Sequence, residues 1–195
     1  MKTTTTWLIM QPIGILMREH RLIERMIKLL EKKLQESKKT LKVDTEFITI
    51  ANDFFTTYTD KTHHGKEEDI FFNALSKKPL ADDLKKTMDQ LIKDHQVART
   101  TILKLNDANT QYKKGFDASI NEIHKKMNDL IHLYPRHIEI EDIHFFFPAM
   151  EYFTKKESDT MLQEFNDFDK TMIHEHYTVL VENQEKKIDD VASYK

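Results

Sequence analysis

The chain has 195 residues, with 3 glycines, 4 prolines and no cysteine, and charged residues make up 32% of it for a net charge of −3. The lack of cysteine excludes disulfides, thiolate metal sites and thiol catalysis together and fits a reducing compartment. The near-balanced charge offers no basic field for nucleic acid, while the length suits one domain and the long unbranched side chains favour an all-α protein.

The opening stretch TTTTWLIMQPIGILM is uncharged but is interrupted by threonines, Gln11 and Pro12. It is too short and polar to span a bilayer, and it lacks an alanine-type cleavage site. The expectation is a cytoplasmic protein without membrane contact. A first helix is predicted from Pro12 to about Lys39, with Leu16, Ile23, Ile27, Leu30 and Leu34 in phase. A second starts at Asp44, a good N-cap, and runs to Lys78 before Pro79. A third spans about Ala81 to Tyr112 in a heptad of Leu84, Met88, Leu91, Ala98, Ile102 and Leu105, and Gly115 ends it. A fourth starts at Asp117 and carries Ile120, Ile123, Met127, Leu130 and Tyr134, with a kink expected at Pro135 and an end near Pro148. A fifth is expected from Ser158, carrying Leu162, Phe165 and Leu180, followed by a frayed polar tail from Gln184. Four long helices with short connections predict an up-down-up-down four-helix bundle with an additional C-terminal helix, in one domain over 1–183 with a tail at 184–195.

Polar residues interrupt these apolar seams at corresponding places. His20 lies four after Leu16, and His95 fills the gap between Leu91 and Ala98. His137 comes three after Tyr134 with Glu141 at i+4, and His63 with Glu67 repeats that spacing. Residues at i and i+4 share a helix face. Each predicted bundle helix therefore aims a histidine inward, and two add a carboxylate one turn later. A lone inward histidine is ordinarily a hydrogen-bonded core residue. Convergence from four helices, with carboxylates that are costly to bury unpaired, points instead to a metal site. Imidazole and carboxylate together suit iron, manganese or zinc, and carboxylates can bridge two metal ions in a bundle core.

The runs REH at 18–20, HHGKEEDIFF at 63–72, DH at 94–95 and HIEIEDIHFFFP at 137–148 resemble the hemerythrin-like, or HHE cation-binding, family, over about residues 12–150. The resemblance implies a four-helix bundle around a non-haem di-iron centre. It implies His20, His63, Glu67, His95, His137 and Glu141 as metal ligands. The family's oxygen carriers have another histidine one turn after the position of His95, where this chain has Arg99. They also place an aspartate five after the last histidine, which is Asp142 here. In an α-helix i+4 lies about 40° from His137 and i+5 about 140°, so phase prefers Glu141, with Asp142 as the alternative.

Weaker candidates remain. Glu24 repeats the His-x-x-x-Glu spacing after His20, though an ion pair with Lys28 explains it equally. His174 resembles a histidine of the prokaryotic members, and His176 is in phase with Phe165 and Leu180. His64 is expected at the surface or behind a ligand, His144 among Phe145–Phe147, and His124 and His132 in solvent. The function implied is a di-iron protein that binds or reacts with oxygen, nitric oxide or peroxide, for sensing, storage or detoxification; whether it is an enzyme stays open. Alternatives are a di-iron protein repairing iron–sulfur clusters under nitrosative stress, against which the missing cysteine counts, and a metal-free helical interaction module.

Overall fold

The computed structural model describes residues 11–169 and 171–193, with side chains described over 11–169 and 176–189. Every described element is helical. α1 spans Pro12–Thr40: Pro12 enters with its φ already helical, and Leu41 closes the helix in the left-handed conformation (φ 55), its N–H reaching Ser37 O at 2.9 Å. α2 covers 45–75 and is capped by Asp44, whose carboxylate accepts from the Phe47 N–H at 3.0 Å. α3 spans Asp82–Lys113. After a 3₁₀ turn at Asp117–Ser119, α4 covers 120–150 with Pro135 inside it.

Two of these helices are not α-helical throughout. Within α2, Phe54–His64 and Lys66–Phe72 are π-helical, and the Gly65 N–H reaches back to Asp60 O. Within α4, Ile140–Phe145 is π-helical, and the Phe146 N–H reaches Glu141 O. An i→i+5 bond widens the turn and shifts the phase of every later side chain. The sequence pattern, read at 3.6 residues per turn, carries no sign of this.

The fifth predicted helix is two helices. α5 spans Lys155–Phe168 and begins with a capping box between Thr154 and Glu157. Asp169 is extended (φ −76, ψ 118) and breaks the chain before α6, Thr171–Ser193. The tail expected to fray from Gln184 instead continues α6. Tyr177 and Val181 are buried in the core, and Arg25 grips Glu185 through two hydrogen bonds of 2.7 and 3.1 Å. Helix α6 is anchored by those contacts, which lie far apart in sequence.

The apolar interior divides in two. One cluster holds Leu22–Leu34 positions of α1, Phe47–Tyr58 positions of α2, Ala98–Ala108 positions of α3 and Ile123–Ile138 positions of α4. The other holds Ile13 and Leu16, then Phe71, Phe72 and Leu75, then Leu84, Met88 and Leu91, then Phe145, Phe146 and Ala149, with Met161 and Phe165 of α5. The segments that join them, at about 17–21, 59–70, 92–97 and 137–144, carry the polar residues singled out above. No helix among the described residues is long and apolar enough to cross a membrane.

Gly65 tests the packing of α5. A Cβ there would meet Phe168 Cζ at 2.8 Å, yet the backbone is ordinary right-handed helix (φ −59), so only space forbids alanine. Gly65→Ala in a Phe168→Ala background should stabilise by about 1 kcal/mol, the helix-propensity gain. In the native background the same change should gain much less or destabilise, which chemical denaturation of the four proteins would measure.

Candidate metal centre

Between the two apolar clusters, His20 from α1, His63 and Glu67 from α2, and Glu141 from α4 each offer one ligand atom, all within 4.8 Å of one another and all buried. His64 of α2, His95 of α3 and His137 of α4 form a second such group. The carboxylates connect the groups. Glu67 Oε1 lies 3.4 Å from His63 Nε2 and Oε2 lies 3.5 Å from His95 Nε2. Glu141 Oε2 lies 3.1 Å from His20 Nε2 and 3.2 Å from His137 Nε2.

Both oxygens of Glu67, both oxygens of Glu141 and Nε2 of His20 are buried without a hydrogen bond among the described residues. Native interiors leave few such atoms, and an unpaired buried carboxylate is especially costly. Their convergence from three helices is the arrangement a multivalent cation would satisfy. The donors are nitrogen and oxygen only, which fits iron, manganese or zinc.

Behind each histidine stands a carboxylate. Nδ1 of His20 donates to Asp142 at 2.7 Å, that of His63 to Glu19 at 2.8 Å, and that of His95 to Glu68 at 2.6 Å. His64 Nδ1 lies 3.3 Å from Asp60, and His137 Nδ1 lies 3.7 Å from Asp94. Holding Nδ1–H this way leaves the Nε2 lone pair for a cation, the usual support of a metal-bound imidazole. Cations form the next layer: Arg21 pairs with Asp142, Lys66 with Glu19, and Arg99 with both Glu68 (2.8 Å) and Asp60 (2.6 Å).

A family model, the hemerythrin HHE cation-binding domain, matches residues 11–146. The chain belongs to the hemerythrin HHE family. A search of curated proteins found no match. The family's domain binds metal cations, and in this hemerythrin-like chain the histidine and glutamate groups that can hold them lie inside the matched segment.

The residues expected from sequence are distributed unevenly. His20, His63, Glu67, His95, His137 and Glu141 all reach the centre. Asp142 stands behind His20 and joins neither group. Glu24 is half-buried and pairs with Arg21 at 3.3 Å rather than with Lys28. The His174 side chain lies outside the described residues, and His176 is exposed against Tyr177. His144 is exposed beside a groove lined by Leu84, Pro148 and Tyr152, not enclosed by phenylalanines. His132 is exposed as expected, while His124 is half-buried and bonds Ser37 at 2.8 Å.

His64 is the residue that sequence reasoning undervalued. It is buried, and its ring stacks on His95 with centroids 3.8 Å apart. The surface reading is therefore wrong, and the signal was available: Ile70, Phe71 and Phe72 allowed either histidine of the pair to face inward. The π-helical turn lets both do so.

Charge at the centre is strongly organised. Burial and the neighbouring Glu141 push Glu67 well above the usual carboxylate range. Burial disfavours ionised Glu141 too, but the charge of His137 and the close approach of the His137 and His20 imidazoles outweigh it and hold Glu141 well below that range. Burial works against a charged His137, yet Glu141 and Asp94 raise it from 6.5 to about 9. Burial likewise opposes His20, and Asp142 and Glu141 raise it. His64 is pushed down to about 3 by burial and by His95, and His63 falls well below its usual value by burial and by His20. The His137 Nε2–H can thus donate a hydrogen bond to His95 Nε2 at 3.1 Å.

A group raised in the folded state stabilises fully below its unfolded pKa and loses that contribution as pH passes the folded one. For His137 the window runs from 6.5 to about 9. His20 and Glu67, also raised, lose stability in the same direction, whereas His63 and His64, held neutral, act only below 6.5. Chelator-stripped protein should therefore melt progressively lower from pH 6.5 to 9. Metal-loaded protein should lack that decline, because the cation takes the place of the protons. Thermal melts of both forms across this range would check it.

Proposed function

We propose that this hemerythrin-like protein is a non-haem di-iron protein that binds or reacts with oxygen, nitric oxide or peroxide. The observation that carries the reading is the convergence of unpaired Glu67 and Glu141 oxygens between two histidine groups. His20 and His63 would hold one ion, His95 and His137 the other, and Glu67 and Glu141 would lie between them. His64 gives the second side a further nearby nitrogen. Two iron ions bound there would supply the redox chemistry toward the diatomic or peroxide.

The protein's own residues do the rest. Carboxylates behind the histidines orient Nε2 and strengthen it as a donor. The walls limit water: the Phe146 ring stacks on His20 at 5.8 Å, and Phe72 stacks on His95 at 6.2 Å. Phe71 and Phe145 extend the apolar wall beyond them. Each helix from α1 to α4 crosses between the apolar clusters in the reverse order of its predecessor, which supports an up-down-up-down bundle around the pair. We place the protein in the cytoplasm, with a small diatomic as its partner.

Protein purified without oxygen should carry about two irons per chain, the number a bundle di-iron site holds. His63→Ala and Glu67→Ala should each lose iron and lower the melting temperature, since bound metal stabilises the fold. His124→Ala should keep its iron. Mass-spectrometric metal content decides it: full iron in both site variants would refute the ligand assignment, and one zinc or manganese per chain would redirect the chemistry.

A further inference from the structure

Lys66 is fully buried, and the proposed metal set does not use it. A lysine ammonium has three donors and no acceptor. Here it faces Asp169 Oδ1 at 2.6 Å, Asp169 Oδ2 at 2.7 Å and Glu19 Oε1. The other oxygen of Glu19 accepts a hydrogen bond from His63 Nδ1–H at 2.8 Å. A continuous chain of contacts therefore runs from Asp169, at the end of α5, through Lys66 and Glu19 to His63. Gly65 lets the Phe168 ring press against α2 beside the lysine, so this end of α5 sits directly on the HHGK run. Asp169 lies beyond the segment that the family model matches.

A fully buried ammonium needs acceptors for its three N–H groups, and oxygens of Glu19 and Asp169 supply them here. One of these two carboxylates, Glu19, is also bonded to a histidine of the centre, so the lysine and that histidine share an acceptor. Glu19 without a cation behind it would pull harder on the His63 proton. The imidazole would then be a stronger donor and would favour the oxidised metal. Lys66 weakens that pull, and Asp169 takes back part of the lysine's effect. Outer partners of a ligating histidine tune a metal in this way.

We propose that Lys66 and Asp169 are positioning residues that set the reduction potential of the centre through Glu19 and His63. This rests on the di-iron reading. Lys66→Met should lower the potential and Asp169→Asn should raise it. Asp169→Glu should return it toward the wild-type value. Opposite shifts in potential follow from the two charge changes alone, so the mark of a relay is a matching movement of the His63 Nδ1 proton.

The experiment is a redox titration of iron-loaded wild type and the variants. It is paired with proton NMR of the His63 Nδ1–H in the metal-free protein, where the resonance should move downfield in Lys66→Met and upfield in Asp169→Asn. Should Lys66→Met fail to fold, Asp169, whose side chain is 13% exposed against 0% for Lys66, leaves Asp169→Asn to carry the test. Potentials and His63 protons that stay put, or that shift the same way in both variants, overturn the proposal alone. A wild type that takes up no iron overturns the di-iron reading and this proposal with it.

Discussion

Two glutamates with no access to water, Glu67 and Glu141, face each other across the middle of a helical bundle. Most of the surrounding structure answers the electrostatic problem they create. Ionised carboxylates in a poor dielectric repel each other and have lost their hydration. When protons alone balance them, Glu67, His137 and His20 all hold a proton more tightly than usual. A divalent cation does the same work more completely. Around that pair the charges alternate outward: carboxylates, imidazoles, carboxylates again, then Arg21, Lys66 and Arg99. Among the described residues of the centre, the atoms left without a hydrogen bond are the inner oxygens of Glu67 and Glu141, with His20 Nε2 and His137 Nδ1 beside them.

The backbone makes this layering dense. Adjacent residues serve different layers: Glu67 points inward while Glu68 backs His95, and Glu141 points inward while Asp142 backs His20. His63 and His64 divide between the two groups. These residues fall within the π-helical stretches of α2 and α4, or in the case of His63 and His64 at the end of one. A π turn sacrifices the regular α-helical bonding, and such turns recur where function requires an altered side-chain phase. Here the widened turn lets neighbouring polar residues share the interior side of one helix. Glycine at 65 adds the room that Phe168 of α5 needs to cover the same run.

The main helices could be read from the sequence because their signals are local. Pro12, the Asp44 cap, the heptad of α3 and the inward His20, His63, His95 and His137 follow from spacing and burial alone. What could not be read depends on pairings distant in sequence. Arg99 looked like a gap, because it stands where oxygen carriers have a histidine; its partners Asp60 and Glu68 become visible only when α2 and α3 are packed. Glu185 of α6 meets Arg25, and Asp169 at the end of α5 meets Lys66, both pairings far apart in sequence. The surface alternative for His64 failed because the resemblance assigns the ligand role to His63, and the π-helical turn that lets both adjacent histidines face in leaves no mark on the sequence.

Arg99 also bears on what the centre is built to do. A histidine there would add a neutral donor on the side of His95 and His137. The guanidinium instead ties together the carboxylates behind His64 and His95, and burial of part of its charge strengthens both contacts. His64 and His95 are consequently fixed as a stacked pair by one cation, while His20 and His63 are each governed by their own. The two sides of the centre therefore differ in how their histidines are held, even though their carboxylates are shared. On the side of His64 and His95, Phe72 stacks on His95 and Tyr134 lies near His64, so those imidazoles are backed by aromatic rings rather than by solvent.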